Sequence, residues 1–410
     1  LIEEKGVIME LEREGKLVTG RDNILKMVEE YYSSLFGAEE VDRGAQEMVL
    51  GFLKERLPED ARKLLERSIT NHELYEAIKT MKNNKVPGID GLTKEFYITF
   101  WDLIGDHLLE VFDEMCETGR MPKSMRTGVI SLLHKKGSPA VLSNYRPLSM
   151  VCVDYKILSR TLARRLARVL PAIINADQTC GVKGRQISSN LQLHRDVLTY
   201  IEERNLTTIC VTLDQEKAFD RVNHDFLWRV IRIFDTGGKF LNWISMMYTD
   251  IICKIKINGH LTEEVQQTRG LQQGCPLSAL LYVIYVEPLA CAIRGKEKIR
   301  GVPLPGGEVL KISQYADDTV LYVEDDGSVR EMMRTIQTFE SAAGSKVNKE
   351  KSHYKFLGRW AGRRETLCGL SLCEGPIIQK GWKYLGVGGR RQNASCTWTI
   401  LTSYVQTYLR

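Results

Sequence analysis

The chain has 410 residues, 43% of them hydrophobic, and a formal net charge of +5, so it can bury a large core and should hold more than one subdomain. No signal peptide is visible. The ten cysteines are scattered without a Cys-x-x-Cys pair or zinc spacing, which excludes a zinc module and fits reduced thiols in an intracellular protein.

Residues 1–85 read as a mostly helical, acidic N-terminal extension, with eleven Lys/Arg against sixteen Asp/Glu in residues 1–70. Asn71, Tyr75, Ile78 and Met81 recur at helical spacing, and Ser68, Thr70 and Asn71 are plausible N-caps. The sign then reverses: residues 120–168 hold eleven Lys/Arg and one acid, Asp154. Within this segment Lys156, Arg160, Arg164 and Arg168 recur every four residues, while Ile157, Leu158, Leu162, Leu166, Val169 and Leu170 line the other side. That is an amphipathic helix with a basic stripe. The bland alternative is a solvated face, but such faces usually mix signs, and the concentration of charge favours a polyphosphate partner.

Thr207–Leu213 reads as a buried strand ending at Asp214, followed by a helical pattern with Val222, Phe226, Leu227, Val230 and Ile231 on one face. The apolar run from Leu277 to Ile293 contains Glu287 and Pro288, so it reads as a buried core helix with Pro276 at its first turn, not a membrane span. Residues 300–308, rich in Gly and Pro, read as a loop. Lys311–Gln314 and Thr319–Val323 are β-prone arms around Tyr315-Ala316-Asp317-Asp318, a hairpin with two carboxylates at its tip. Neighbouring residues on a strand face opposite ways, so both acids cannot enter one core. Two like charges at a tight turn are unfavourable unless a cation sits there, and magnesium, which prefers carboxylate oxygens plus substrate phosphates, is the natural candidate. An exposed acidic turn is the alternative. If the strand ending at Asp214 is a neighbour, three carboxylates converge, as two-metal phosphoryl transfer requires, with ions about 3.5–4 Å apart.

The remaining blocks amount to a family resemblance. Asp214-x-x-x-Ala218-Phe219-Asp220, then Arg269-Gly270-Leu271-Gln272-Gln273-Gly274-Cys275-Pro276-Leu277-Ser278, then the Tyr315–Asp318 hairpin, resemble motifs A, B and C of reverse transcriptases. Val86–Gly91, Asn144-Tyr145-Arg146-Pro147-Leu148-Ser149 and Gln178–Arg185 resemble the fingers blocks of the non-LTR (LINE-type) and group II intron enzymes. Val347–Ser352 resembles motif D, and Trp382-Lys383-Tyr384-Leu385-Gly386 resembles motif E. The LINE type fits best, and Glu30–Phe36 resembles the segment that links endonuclease to polymerase there. The chain begins at Leu1 and stops at Arg410, so it is expected to be a fragment of a longer polyprotein. It departs from the pattern at Ser345-Lys346, where an apolar residue is commoner.

The resemblance implies an α+β, right-hand polymerase architecture: an extension at 1–85, fingers at 86–205, an antiparallel-sheet palm with motifs A, B and C at 206–345, palm end and primer grip at 346–390, and the start of an incomplete thumb at 391–410. It implies RNA-directed DNA polymerisation with two Mg²⁺ ions (Mn²⁺ can substitute), on an RNA template with a DNA primer or target and dNTPs. In the parent protein this would be target-primed reverse transcription in the nucleus after cytoplasmic synthesis. Asp214, Asp317 and Asp318, with the backbone carbonyl of Gln215, would hold the metals. Glu216, Lys217 and Ala218 would line the nucleotide, and Phe219 would be the sugar gate that excludes a 2′-hydroxyl; its alternative is a core Phe. Arg146 would hold the triphosphate, with Lys135 and Lys136 weaker candidates. Gln273 and Gly274 would approach the template–nucleotide pair, and Lys351 would give a proton to pyrophosphate; a basic surface turn is its alternative. Gly184 and Arg185 with the basic stripe would touch template backbone, and Trp382, Tyr384 and Leu385 would support the primer end. The rivals are a group II intron-type maturase and a catalytically inactive nucleic-acid-binding relic. The tyrosine-rich linker argues against the first, and the retained carboxylates and Phe219 argue against the second.

Overall fold

A computed structural model describes residues 7–135 and 137–373. Lys136, the expected primer-grip residues Trp382, Tyr384 and Leu385, and the expected thumb start lie outside the described residues. The chain divides into two compact units, one of residues 7–39, 58–166 and 219–278, the other of 40–57, 167–218 and 279–373. Both are discontinuous, and their limits differ from the contiguous boundaries at 85, 205 and 345. Motif B, expected in the palm segment, falls with the first unit.

The first unit is built on a mixed sheet. Thr127–His134 pairs antiparallel with Tyr145–Met150 and parallel with Ile251–Ile257, which also pairs with His260–Leu261 and Val265–Gln267. The helix Arg21–Phe36 buries Ile24, Val28, Tyr32, Leu35 and Phe36, the i, i+4, i+8 face expected of an amphipathic helix. That face packs with Ile130, Tyr145, Ile255 and Val265. The N-terminal extension is not purely helical: Glu10–Arg13 and Lys16–Thr19 form a hairpin. Glu14 and Gly15 both take positive φ at its two-residue turn, which suits the twist of a hairpin. Asn71–Lys79 is helical as its spacing predicts, and Thr70 accepts from the Glu73 N–H as N-cap.

The helix Val153–Val169 runs across the limit between the units. It buries Tyr155, Ile157, Leu158, Leu162 and Leu166 completely, while Lys156, Arg160 and Arg164 are half-buried and Arg168 is exposed.

The second unit carries a five-stranded sheet in the order Ile312–Tyr315, Asp318–Val323, Thr207–Leu213, His353–Gly358, Ser371–Leu372. All its pairings are antiparallel except the last. Leu193, Val197 and Ile201 of the helix Ile187–Glu203 pack with Cys210, Tyr322 and Leu357. The apolar run forms the helix Ser278–Gly295, with Pro288 inside it and Pro276 two residues before it rather than in its first turn. By length and composition this helix could cross a membrane, but 78% of its apolar window is buried within the protein. Residues 300–308 are not simply a loop, because Val302–Pro303 pairs with Val309–Leu310. All nine described cysteines are free thiols.

Candidate active site

The central strand Thr207–Leu213 is buried at Ile209, Cys210, Val211 and Leu213. Leu213 pairs with Thr319, so the antiparallel register carries Asp214 alongside Asp318. Tyr315 pairs with Asp318, leaving Ala316 and Asp317 as a two-residue turn. Ala316 takes φ 54°, a region uncommon for residues with a Cβ. The completely buried Gln178 holds that turn, accepting from the Ala316 N–H at 3.0 Å. The three acids thus meet at one end of one sheet, as the sequence predicts, and each is half-buried.

Burial first, then the charges of Asp317 and Asp214, push the Asp318 carboxyl up to about 8. The Asp318 carboxyl is thus driven toward its neutral form. An all-carboxylate donor set of this charge fits a hard divalent ion such as Mg²⁺. Another group stands in the first unit, where ligand atoms of Asp90, Cys152 and Asp154 lie within 4.8 Å of one another. There burial holds the Cys152 thiol up at about 11, so it is a poor thiolate donor.

The backbone around Asp214 is gripped by motif D. The Asp214 N–H donates to Ser352 Oγ at 3.1 Å, its carbonyl accepts from the Asn348 N–H at 2.8 Å, and the Glu216 N–H donates to the Lys346 carbonyl at 2.7 Å. Between these bonds Gln215 and Val347 form an antiparallel bridge. Lys351 is exposed in this clasp, and Lys217 takes φ 49° just after it. The spacing of Asn348 and Ser352 within their motif does not reveal these hydrogen bonds, which join residues far apart in the chain.

In the first unit, the end of motif A at Phe219 and Asp220, motif B and the Asn144–Ser149 block are knitted together. Leu271 N–H donates to the Phe219 carbonyl at 2.7 Å, Gln273 Nε2 to Asp220 Oδ1 at 2.8 Å, and Ser149 N–H to the Gln273 carbonyl at 2.8 Å. A Cβ on Gly270 would meet the Asp220 carbonyl oxygen at 2.7 Å, and one on Gly274 the Ser149 carbonyl oxygen at 3.0 Å. Gly274 therefore permits a close approach within the protein itself. Phe219 is half-buried, and Arg146 stands exposed on its edge strand.

Two of the expected template-contact arginines also make hydrogen bonds within the protein. Arg185 donates to the carbonyls of Ile174, Asn175 and Gln178. Its guanidinium closes its own loop through these three carbonyls. Gly184 beside it is exposed, with φ 83°. Arg160 is spent on Thr80, donating to its hydroxyl at 2.8 Å and its carbonyl at 3.2 Å. A residue absent from the stripe, Arg165, is buried against Glu73 at 2.6 Å. Arg269, the first residue of motif B, donates to the Leu35 carbonyl and pairs with Glu39.

Two outcomes follow from this geometry. Asp318 holds a proton in the folded state up to about pH 8 that the unfolded chain loses near pH 4. The folded state binds more protons across that window, so metal-free stability should fall as pH rises through it. Thermal melts in EDTA from pH 5 to about 8.5 should show the decline in wild type and a flatter profile in Asp318→Asn; parallel profiles would remove Asp318 as its source. Gly270→Ala combines φ 87° with the 2.7 Å clash and should cost about 1–3 kcal/mol in urea unfolding. A midpoint equal to wild type would show that the loop adjusts freely.

A family model described as reverse transcriptase (RNA-dependent DNA polymerase) matches residues 133–388. The chain is 36% identical over 323 residues to the transposon TX1 uncharacterized 149 kDa protein of Xenopus laevis, covering 78% of this chain and 24% of that protein. It is 28% identical over 294 residues to a retrovirus-related Pol polyprotein from the type-1 retrotransposable element R2 of Popillia japonica, covering 70% and 39%. It is 24% identical over 339 residues to the RNA-directed DNA polymerase from mobile element jockey of Drosophila melanogaster, covering 78% and 35%. The chain thus spans 24% to 39% of the length of these curated relatives. With more than half of its residues inside the family match and relatives of this kind, the chain belongs to the reverse transcriptase (RNA-dependent DNA polymerase) family, in its non-LTR retrotransposon branch.

Proposed function

We propose that the chain adds dNTPs to a primer 3′-end on an RNA template, and that its parent protein does so at nicked chromosomal DNA in the nucleus. The observation that carries this reading is the register that sets Asp214 beside Asp318 and Asp317 at one end of one sheet. Asp214, Asp317, Asp318 and the Gln215 carbonyl hold two Mg²⁺ ions. When bound, these supply activation of the 3′-hydroxyl and neutralisation of the triphosphate and leaving oxygen.

The other residues position and protect. The Phe219 ring lies under the incoming sugar and excludes a 2′-hydroxyl. Arg146 pairs with phosphate oxygens through its fork of donors. Lys351, exposed in the clasp on Asp214, gives a proton to pyrophosphate. Lys156, Arg164 and Arg168 meet nucleic-acid phosphate. In this reading residues 86–205 supply the fingers and residues 206–345 the palm that carries motifs A, B and C.

Asp214→Asn or Asp317→Asn should abolish dNTP addition, by about 10³-fold or more, while RNA binding measured on filters stays near wild type. Appreciable primer extension by either variant would misplace the site. Phe219→Val should raise ribonucleotide over deoxyribonucleotide incorporation by about tenfold or more, since a steric gate is worth at least about 1.4 kcal/mol. Unchanged rNTP/dNTP selectivity in single-nucleotide extension would return Phe219 to the core.

A further inference from the structure

We propose that a buried Glu287–Arg294–Asp177 triad is a positioning device for the catalytic turn, acting on metal binding through Gln178 and the first arm of the hairpin. The inference rests on the polymerase reading above. Arg294 Nη1 donates to Asp177 Oδ2 at 2.6 Å, and Nη2 donates to Glu287 Oε1. The Asp177 and Glu287 side chains are 4% and 1% exposed. One guanidinium thus neutralises part of two buried carboxylates, and the second oxygen of each, Asp177 Oδ1 and Glu287 Oε2, has no protein partner. Such a group is retained at a cost to stability, because buried ion pairs are seldom better than apolar packing. A role in placing neighbouring groups explains its presence.

The neighbours are those of the active site. The Asp177 carbonyl accepts from the Gln314 N–H at 2.8 Å, and the Thr179 N–H returns to the Gln314 carbonyl at 3.1 Å. Residue 178 is therefore pinned alongside the first arm of the hairpin. Its side chain then brackets Ala316, accepting from the N–H and donating to the carbonyl at 3.5 Å. Asp317 is the next residue. The arm is also fixed at its other end, where Lys311 Nζ donates to the carbonyls of Arg294 and Lys296 at 2.9 and 2.8 Å. The helix that carries Glu287 and Arg294 thus holds both ends of Ile312–Tyr315, one through Asp177 and one through the Arg294 carbonyl together with that of Lys296 just beyond its end. Asn190 adds a third tie, donating to Ser313 Oγ and to the Gln314 carbonyl.

The test uses Mn²⁺ bound to the full chain, followed by electron paramagnetic resonance, with primer-extension kcat, dNTP KM, RNA affinity and thermal midpoint measured on the same preparations. Glu287→Gln and Asp177→Asn keep the shape of the triad and change its charge. Each should weaken Mn²⁺ binding by about tenfold, the scale of groups that orient ligands from behind. RNA affinity should be unchanged, and kcat should fall more than dNTP KM rises. Arg294→Met should be worse than Arg294→Lys, which keeps a cation. Mn²⁺ affinity and kcat equal to wild type in folded Glu287→Gln and Asp177→Asn would overturn the inference. So would a loss of thermal midpoint with normal Mn²⁺ affinity in the folded protein, which is a purely structural role. If wild type itself neither extends primers nor binds Mn²⁺ in a manner lost in Asp214→Asn, the polymerase reading fails, and the inference falls with it for that separate reason.

Discussion

Three carboxylates set at one end of one sheet repel one another, and the second unit is arranged around tolerating that repulsion. Its strength is visible in Asp318, which burial and its two acidic neighbours push up to about 8. A backbone left to itself would relax by moving the Asp317 turn away from the end of the central strand. It cannot, because both sides are fastened by hydrogen bonds to groups outside the pair. Gln178 brackets Ala316, and the Asn348–Ser352 turn takes both the N–H and the carbonyl of Asp214. The positive φ at Ala316 belongs to the same account: a conformation costing roughly 1–2 kcal/mol in isolation persists because the side chain of Gln178 satisfies both polar groups of that residue.

These fastenings come from places far apart in the chain. Gln178 precedes the central strand, whereas Ser352 follows the hairpin. Thr207–Leu213 lies between Asp318–Val323 and His353–Gly358 in the sheet, so the strand that presents Asp214 cannot shift register without breaking two ladders. A one-residue slip would also turn its side chains to the opposite face. Precision at the carboxylates is thus a property of sheet order, and the side-chain bonds only refine it.

The strands, the acidic tip and the helix after Asp214 were readable from the sequence because each rests on a local pattern: alternation, a β-prone run, a 3.6-residue repeat. What escaped was decided by partners remote in sequence. Arg164 and Arg165 are adjacent and chemically identical, yet Arg165 is buried on Glu73 and the carbonyls of Leu65, Arg67 and Ser68, whereas Arg164 is half-buried. Periodicity placed the stripe on the less buried face but could not show that Arg160 is tied to Thr80. The Glu10–Thr19 hairpin was missed for another reason. Its strands have four residues each, too few for alternation to stand out, and the Glu14-Gly15 turn was the available signal.

The N-terminal segment shows how a sequence boundary can mislead about a physical one. Glu30–Phe36 resembles a linker, and a linker would be expected to leave few contacts behind it. Here Tyr32, Leu35 and Phe36 are buried in the core of the first unit. The Phe36 carbonyl, at the end of its helix, accepts from both Thr268 and Arg269 N–H groups, and the Arg269 guanidinium reaches the Leu35 carbonyl and Glu39. The unpaired carbonyls that any helix C-terminus must satisfy are thus met here by Thr268 and the first residue of motif B. That exchange of hydrogen bonds fixes where the Gly270–Gly274 loop begins. The loop in turn holds Phe219 and Asp220 by the Leu271 and Gln273 contacts. The extension is therefore part of the scaffold for motifs A and B, and cutting the chain ahead of the fingers blocks would remove a wall of the first unit's core together with the clamp on Arg269.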